Sequence, residues 1–408
     1  MKILALNGGS SSFKARLFEL AEWTAGTAAP PPLWDARVDF KHHEGAAEIE
    51  IRTGGTVWNQ SMRVETPLAV LEPLMEKLWS GTTRALADRQ EIAAVGHRVV
   101  HGGKAFREST RITPEVKAAI ARLASFAPEH NRLEVEAIEA MERIFGPQAP
   151  QVAVFDTAFH AALPPAAYVY PGPYAWVGEG IRRYGFHGIS HQYVSARAAG
   201  VLGKDLRSLR MITCHLGNGC SLAAIRNGQS VDTTMGFTPL EGLVMGTRSG
   251  SLDPGILIHL VRHCGCRAED LDRLLNRESG LKGISGISGD MREILAAMAQ
   301  GNDRATLAFG VYAHRLRAEI GAMMASLGGL DALVFTAGVG ENCAPLRAAV
   351  GDAFAFLGMK IDPGINQAPP AGDCDIAAAD STIRVVVVRT QEEWEIAREC
   401  RRVLDHSR

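Results

Sequence analysis

Phosphate binding needs backbone N–H groups and small hydroxyls that can come close to an anion. The sequence carries such a stretch near its start, Asn7-Gly8-Gly9-Ser10-Ser11-Ser12, with Lys14 just beyond. Alone, that composition serves a plain surface turn as well. Three more segments share it: His215-Leu216-Gly217-Asn218-Gly219-Cys220-Ser221, Gly246-Thr247-Arg248-Ser249-Gly250 and Gly338-Val339-Gly340-Glu341-Asn342. Their glycines let the backbone approach a ligand, and the polar residues between them supply donors or charge. Four such loops in one chain, three of them at the ends of predicted strands, point to a nucleotide cleft. No complete GxGxxG occurs, and the Walker A pattern fails because Ala105 follows Gly103-Lys104, so the scaffold is not a P-loop.

Phosphoryl transfer also needs cations on the moving group and a carboxylate for a divalent metal. Arg98, in Gly96-His97-Arg98-Val99-Val100-His101-Gly102-Gly103, and Arg248 lie among small or strand residues, not among acidic partners. As isolated residues either could equally be solvated. Asp156 follows the apolar run 152–155 and so sits at a predicted strand end, where open α/β sheets place ligand groups; capping the next turn is the other use of an Asp there. His187 and His191 are four apart, but HExxH is missing and Gly188 argues against a helix, so a metal pair is rejected. His187 after an aromatic residue, and His130 beside a helix N-terminus, are better used as hydrogen-bond donors to a phosphoryl oxygen.

These residues require elements to hold them. Residues 2–6 and 13–20 read as the two strands of a hairpin, with Phe13, Ala15 and Leu17 alternating with Lys14 and Arg16, not as the strand-to-helix turn of a Rossmann unit. Residues 25–32, rich in Ala and Pro, read as a connection or hairpin tip and as the stretch of least intrinsic order. Two helices are expected within 113–145: one with Thr113 as N-cap and Pro114 at N1, the other with Asn131 as N-cap and Glu134 at N3. Strands are expected at 152–155, 211–215, 333–336 and 383–388, several all-apolar and so central in a sheet covered on both faces. Residues 392–404 space Ile396, Cys400, Val403 and Leu404 at helical intervals, predicting a terminal amphipathic helix that returns to the first lobe. The pattern is α/β, and no repeat is visible in the sequence.

A chain of 408 residues with formal net charge -2 is long enough for two domains with a core each. Hydrophobic residues make up 46% and charged ones 22%, with no apolar run of the roughly 18 residues a membrane helix needs. The apolar opening before Asn7 is too short for a signal peptide, which predicts a cytoplasmic protein. Seven cysteines, an odd number without CxxC pairing, read as free thiols in a reducing compartment. No basic block marks a nucleic-acid partner, and small anions are the expected ligands.

Together the segments resemble the acetate kinase family: LNGGSSSFK at 6–14, GHRVVHGG at 96–103, FDTAFH at 155–160, RRYGFHG at 182–188, TCHLGNG at 213–219, VDTTMGFTPLEGLVMGTRSG at 231–250 and FTAGVGEN at 335–342. The resemblance spans nearly the whole chain. It implies the fold of the actin, hexokinase and Hsp70 ATPase superfamily: two duplicated ribonuclease-H-like lobes with ATP in a central cleft, at residues 1–160 plus 393–408 and 161–392. It implies transfer of the γ-phosphoryl group of Mg·ATP to acetate, with Mn²⁺ as the alternative ion, and a homodimer. By the same resemblance Asn7 and Glu392 are the metal positions, while Ser10, Ser12 and Lys14 form the phosphate hairpin. Arg98 and Arg248 hold the carboxylate and the transferring phosphoryl group with Asp156 between them, and His187 is the transition-state donor, supported by His130. Val100, Phe186 and Pro239 line the apolar acid pocket. His215, Asn218, Gly219, the run Asp290, Met291 and Arg292, and Gly338, Val339, Gly340 and Asn342 belong to the ATP site.

Departures from the family concern substrate choice. Glu129 stands where a leucine is usual against the acetate methyl group, and Arg132 where a proline is usual; a charge beside an alkyl pocket is costly unless paired, so either Glu129 turns outward, to Arg132, or the pocket has changed. Ile189, Cys220, Ser251, Lys282 and Gln391 differ as well, the last next to the metal carboxylate. Two rivals follow: a kinase for propionate, butyrate or a polar short acid, and a non-catalytic actin-like nucleotide-binding protein.

Overall fold

The computed structural model describes residues 1–9, 12–20, 24, 26–41, 45–64, 66–123, 128–369 and 371–406, and of residues 41, 67 and 128–130 the backbone only. The chain divides into two units, Met1–Phe159 with Gly188–Tyr193 and Gln391–Arg408, and His160–His187 with Val194–Thr390.

Among the described residues of the first unit the strands are β1 (Lys2–Gly8), β2 (Ser12–Glu19), β3 (Trp34–Lys41), β4 (Ala46–Thr53), β5 (Thr56–Arg63), β6 (Ile92–Val99), β7 (Thr110–Arg111) and β8 (Gln151–Phe155). They form one sheet in the order β5-β4-β3-β2-β1-β6-β8-β7. β1 and β2 pair antiparallel as the expected hairpin, and residues 25–32 fall in the connection to β3, with Ala25 itself outside the described residues. The alternation along β2 buries Phe13, Ala15 and Leu17 in a core with Leu4, Trp34, Ile49, Ile51 and Met141, and leaves Lys14 and Arg16 half-exposed. The terminal helix Glu392–His406 belongs to this unit and buries Trp394, Ile396, Ala397 and Cys400. Gly96 on β6 lets it approach, because a Cβ there would lie 2.4 Å from Cys400 Sγ and 2.6 Å from Ile396 Cγ2. Each large apolar side chain so buried contributes about 2 kcal/mol.

The second unit contains β9 (Arg210–Leu216), β10 (Cys220–Arg226), β11 (Gln229–Thr233), β12 (Ala332–Thr336), β13 (Cys374–Asp375) and β14 (Arg384–Val387), in the order β11-β10-β9-β12-β14-β13. Asn227 and Gly228 turn β10 into β11 with φ of 55° and 74°, the conformation a two-residue hairpin loop requires. Three antiparallel strands followed by two parallel ones recur in both sheets, as β3-β2-β1-β6-β8 and β11-β10-β9-β12-β14. The fold is therefore α/β with duplicated lobes, and the duplication lies in strand order, where residue identities do not display it.

Three local expectations need correction. The helix expected to start after Asn131 runs Pro128–Phe145, with proline at its first position, so His130 lies within the first turn and Glu134 is no capping residue. Gly188 does not exclude a helix: it opens Gly188–Val201, and it must be glycine because a Cβ would lie 2.1 Å from the Asp156 carbonyl oxygen. The segment expected as a loop after β12 is a short helix, Ala337–Asn342, whose last carbonyls at Gly340 and Glu341 accept from buried Arg347 at 2.9 and 2.8 Å. The helix expected at Pro114 is present as Pro114–Arg122, with the Thr113 side chain accepting from Val116 N.

Candidate functional site

In the first unit β1, β6 and β8 run parallel to one another and deliver Asn7, Arg98 and Asp156 at or just beyond their C-terminal ends. Arg98 donates from Nε and Nη2 to Asp156 Oδ2 at 3.0 and 2.6 Å, and from Nη1 to Asn7 Oδ1 at 3.0 Å. Asp156 is 1% exposed. Burial works against the guanidinium charge, but Asp156 and Glu392 outweigh it and hold the pKa above its ordinary value.

Asn7 Nδ2 in turn donates to Glu392 Oε2 at 2.7 Å and to Glu393 Oε1 at 2.8 Å. Glu393, buried, also accepts from Arg16 Nη1 at 3.1 Å, and Arg16 Nη1 reaches Gln391 Oε1 at 2.9 Å. The unusual Gln391 thus has a defined partner. Lys14 Nζ lies 3.9 Å from Glu393, and the turn between β1 and β2 closes through Gly9 N donating to the Ser12 carbonyl at 2.8 Å. Ser10 and Ser11 lie outside the described residues, as do the side chains of Glu129 and His130. Arg132 pairs with Glu136 at 3.0 Å, on the exposed side of its helix.

Beyond β6, the Val100 N–H donates to Glu134 Oε1 at 3.0 Å. Burial pushes the Glu134 carboxyl up to about 8, against that hydrogen bond and the Arg98 charge. Asn131, fully buried, donates to the His101 carbonyl at 3.2 Å.

The second unit gathers a different set. His187 takes a left-handed conformation, φ 55°, at the start of its helix. Its Nδ1 meets Ser221 Oγ at 2.9 Å and its ring stacks on His215 with centroids 4.2 Å apart. A Cβ on Gly219 would lie 3.4 Å from both Arg248 Nη1 and His187 Nε2, so Arg248 and His187 converge on that glycine. Arg248 is half-buried and donates to the Pro239 carbonyl at 3.3 Å. Phe186 is buried, and its carbonyl meets His160 Nε2 at 3.1 Å; burial lowers the His160 pKa to about 4, so the ring is neutral and donates there from Nε2.

The Gly246 N–H donates to the Asn218 carbonyl at 3.0 Å, and a Cβ on Gly246 would be 2.2 Å from Asn218 Oδ1 and 2.9 Å from the Gly289 carbonyl. This packing brings two of the Gly-rich segments, 215–221 and 246–250, together with Gly289, which Asp290 follows. Asp290 caps the helix Met291–Ala299 and pairs with Arg292, which is otherwise exposed. In the short helix after β12 the Asn342 side chain donates to the Gly338 carbonyl at 2.8 Å. The non-glycine residues with positive φ among those described are Asn227, in a hairpin turn that tolerates it, His187 and Ala337. The last two begin candidate segments, and such strain is kept where surrounding structure over-determines it.

The remaining departures have plain surroundings. Cys220 contacts Tyr312 Oη at 3.2 Å, Ser251 Oγ accepts from Gly242 N at 3.0 Å, Ile189 is buried, and Lys282 Nζ donates to the Arg277 carbonyl at 3.4 Å. Sequence reasoning missed Glu393 and Ser221, and misread Glu134 and Asn131. The pairing of Glu392 with Glu393 at a helix start was the available signal for the first.

Compared with known proteins, residues 2–398 match the Acetokinase family. The chain is 59% identical to an acetate kinase of Gloeobacter violaceus over 98% of each chain. Among solved structures it resembles acetate kinase from Porphyromonas gingivalis (TM-score 0.89, 40% identity, 99% of each chain). It also resembles a propionate kinase from Francisella tularensis (TM-score 0.87, 36% identity, 98% of each chain).

Proposed function

The chain belongs to the acetokinase family, and from that premise we propose how its residues transfer the γ-phosphoryl group of ATP to the carboxylate of acetate, giving acetyl phosphate and ADP. The observation that carries the reading is Arg98, fixed by Asp156 and Asn7 at the ends of adjacent parallel strands. A carboxylate with a pKa of roughly 4 to 5 is already ionised at neutral pH and needs no general base. What remains is positioning and neutralisation of charge.

In the first unit Arg98 holds the acid carboxylate beside Val100, and Asp156 fixes the guanidinium. Ser10, Ser12 and Lys14 take the phosphates. In the second unit Arg248 and His187 meet the transferring group, with Ser221 holding the His187 ring, while Phe186 and Pro239 supply apolar pocket wall. His130 assists the phosphoryl group. His215, Asn218, Gly219, Asp290 to Arg292, Gly338, Val339, Gly340 and Asn342 receive the nucleotide.

Asn7 and Glu392 each offer a hard side-chain oxygen, and the two residues are tied together by Asn7 Nδ2 donating to Glu392 Oε2; two protein ligands suit Mg²⁺, which takes its other ligands from phosphates and water. When bound, the ion neutralises phosphate charge. Homodimerisation is supported by the exposed Leu252, Ile256, Ile258 and Val261 along and beside the helix Pro254–Cys264, which buries none of its residues. A cytoplasmic location is supported by seven cysteines that are all unpaired. Among the described residues no helix is long and apolar enough to cross a membrane.

The test is acyl hydroxamate formation with Mg·ATP and acetate, propionate, butyrate or glycolate. Highest kcat/KM with acetate supports the reading; preference for a longer or polar acid assigns the enzyme to that acid instead.

A further inference from the structure

Glu134 has no task in the mechanism above, yet it is 8% exposed and holds the backbone of a residue assigned to the acid pocket. Its Oε1 is used by the Val100 N–H at 3.0 Å, whereas Oε2, buried too, has no partner among the described residues. An amide would satisfy Val100 equally well. A carboxyl adds a second oxygen that can carry or lose a proton close enough to Arg98 and Asp156 for their charges to act on it.

We infer that Glu134 is a further affinity-determining residue of the acid site: as the neutral acid it tolerates a carboxylate on Arg98, and once ionised it repels that carboxylate and competes for the guanidinium. The inference rests on Arg98 being the acid-binding residue. Among the described residues, the charged groups that act on Glu134 are Arg98 from β6 and Asp156 after β8, and His101 follows Val100, whose N–H Glu134 holds. Glu392 acts on Arg98 itself. Lys117 and Glu72, from the two helices packed on its own, are paired with Glu142 and Arg143. Of these, Arg98 favours ionisation and Asp156 opposes it, and desolvation exceeds both, so the carboxyl stays protonated until about pH 8.

The test is the KM for acetate and for ATP, from ADP release at pH 7 to 9, in the unaltered protein and in Glu134→Gln, which keeps an acceptor for Val100. With acid bound only by the protonated form, KM for acetate rises about tenfold between pH 7 and 9, while KM for ATP and kcat stay within about twofold. Glu134→Gln removes the rise. A flat acetate KM in the unaltered protein, or a rise of the same size in Glu134→Gln, overturns the inference. A flat profile in the unaltered protein overturns it even where the variant does not fold. Absence of ADP release with acetate at every pH would instead remove the acid-kinase reading on which it stands.

Discussion

Replacing Asp156 by asparagine tests how far catalysis depends on the charge that fixes Arg98. Asp156 Oδ2 receives two N–H groups of Arg98, at 3.0 and 2.6 Å, in a setting where Asp156 is 1% exposed. At an effective dielectric near 20, opposite charges about 4 Å apart attract by about 4 kcal/mol. The amide retains at best one neutral acceptor, about 1 kcal/mol, so about 3 kcal/mol of orienting energy is lost. At 1.4 kcal/mol per decade this predicts a fall of about 100-fold in kcat/KM for acetate, with KM for ATP little changed. Stability falls as well, by about 3 kcal/mol, because the half-buried guanidinium keeps the weaker amide acceptor, Asn7 Oδ1 and the charge of Glu392 in place of its carboxylate partner. Steady-state acyl phosphate formation and thermal unfolding on the same preparation measure both. A folded Asp156→Asn protein with kcat/KM within threefold of the original would refute the reasoning.

The other predictions concern the second unit, the packing of the terminal helix and pH. Arg248→Ala lowers kcat by two or more orders of magnitude with an unchanged melting temperature, since Arg248 is half-buried with the Pro239 carbonyl as a neutral partner; near-normal turnover would remove it from the mechanism. Gly96→Ala destabilises by about 2 kcal/mol, because its Cβ would meet Cys400 and Ile396 at 2.4 and 2.6 Å, and Gly96→Ala combined with Cys400→Ala recovers part of the loss in a melting experiment. Stability also depends on pH through four buried groups. Glu134 and Glu395 are raised by burial to about 8 and about 7, so the native state holds their protons above the unfolded carboxyl range and loses stability as pH rises. His97 and His160 are lowered by burial to about 4, which has the opposite sign up to the unfolded imidazole value of about 6.5. The two effects cancel between about pH 4.5 and 6.5, and from there to pH 8 stability falls by roughly 2 kcal/mol. Melting temperatures across that range check this, and Glu134→Gln flattens most of the decline.

Local patterns in the sequence foretold the local structure. The β1–β2 hairpin, the apolar strands β8, β9, β12 and β14, the Thr113-Pro114 helix start and the terminal helix all follow from periodicity and capping over a few residues. The alternation of Ile49 and Ile51 with Glu48 and Glu50 in β4 is equally legible. Asn131 misled because Pro128 offers a competing start signal, and Gly188 because its glycine answers a close approach to Asp156, not a need to break a helix. The polar partners of the candidate site were out of reach for another reason. Asn7 and Glu393 are 386 positions apart, and Val100 and Glu134 are 34 apart, so their pairing exists only once the sheet has formed.

The central claim is that this chain moves a phosphoryl group between a nucleotide and acetate, and the favourable direction tests it most directly. Acetyl phosphate and Mg·ADP are mixed with the protein and followed by ³¹P NMR. The account predicts that the acyl phosphate resonance decays as ATP appears one for one, and that Arg98→Ala abolishes the exchange. Persistence of acetyl phosphate, or its decay to inorganic phosphate without ATP, would contradict it.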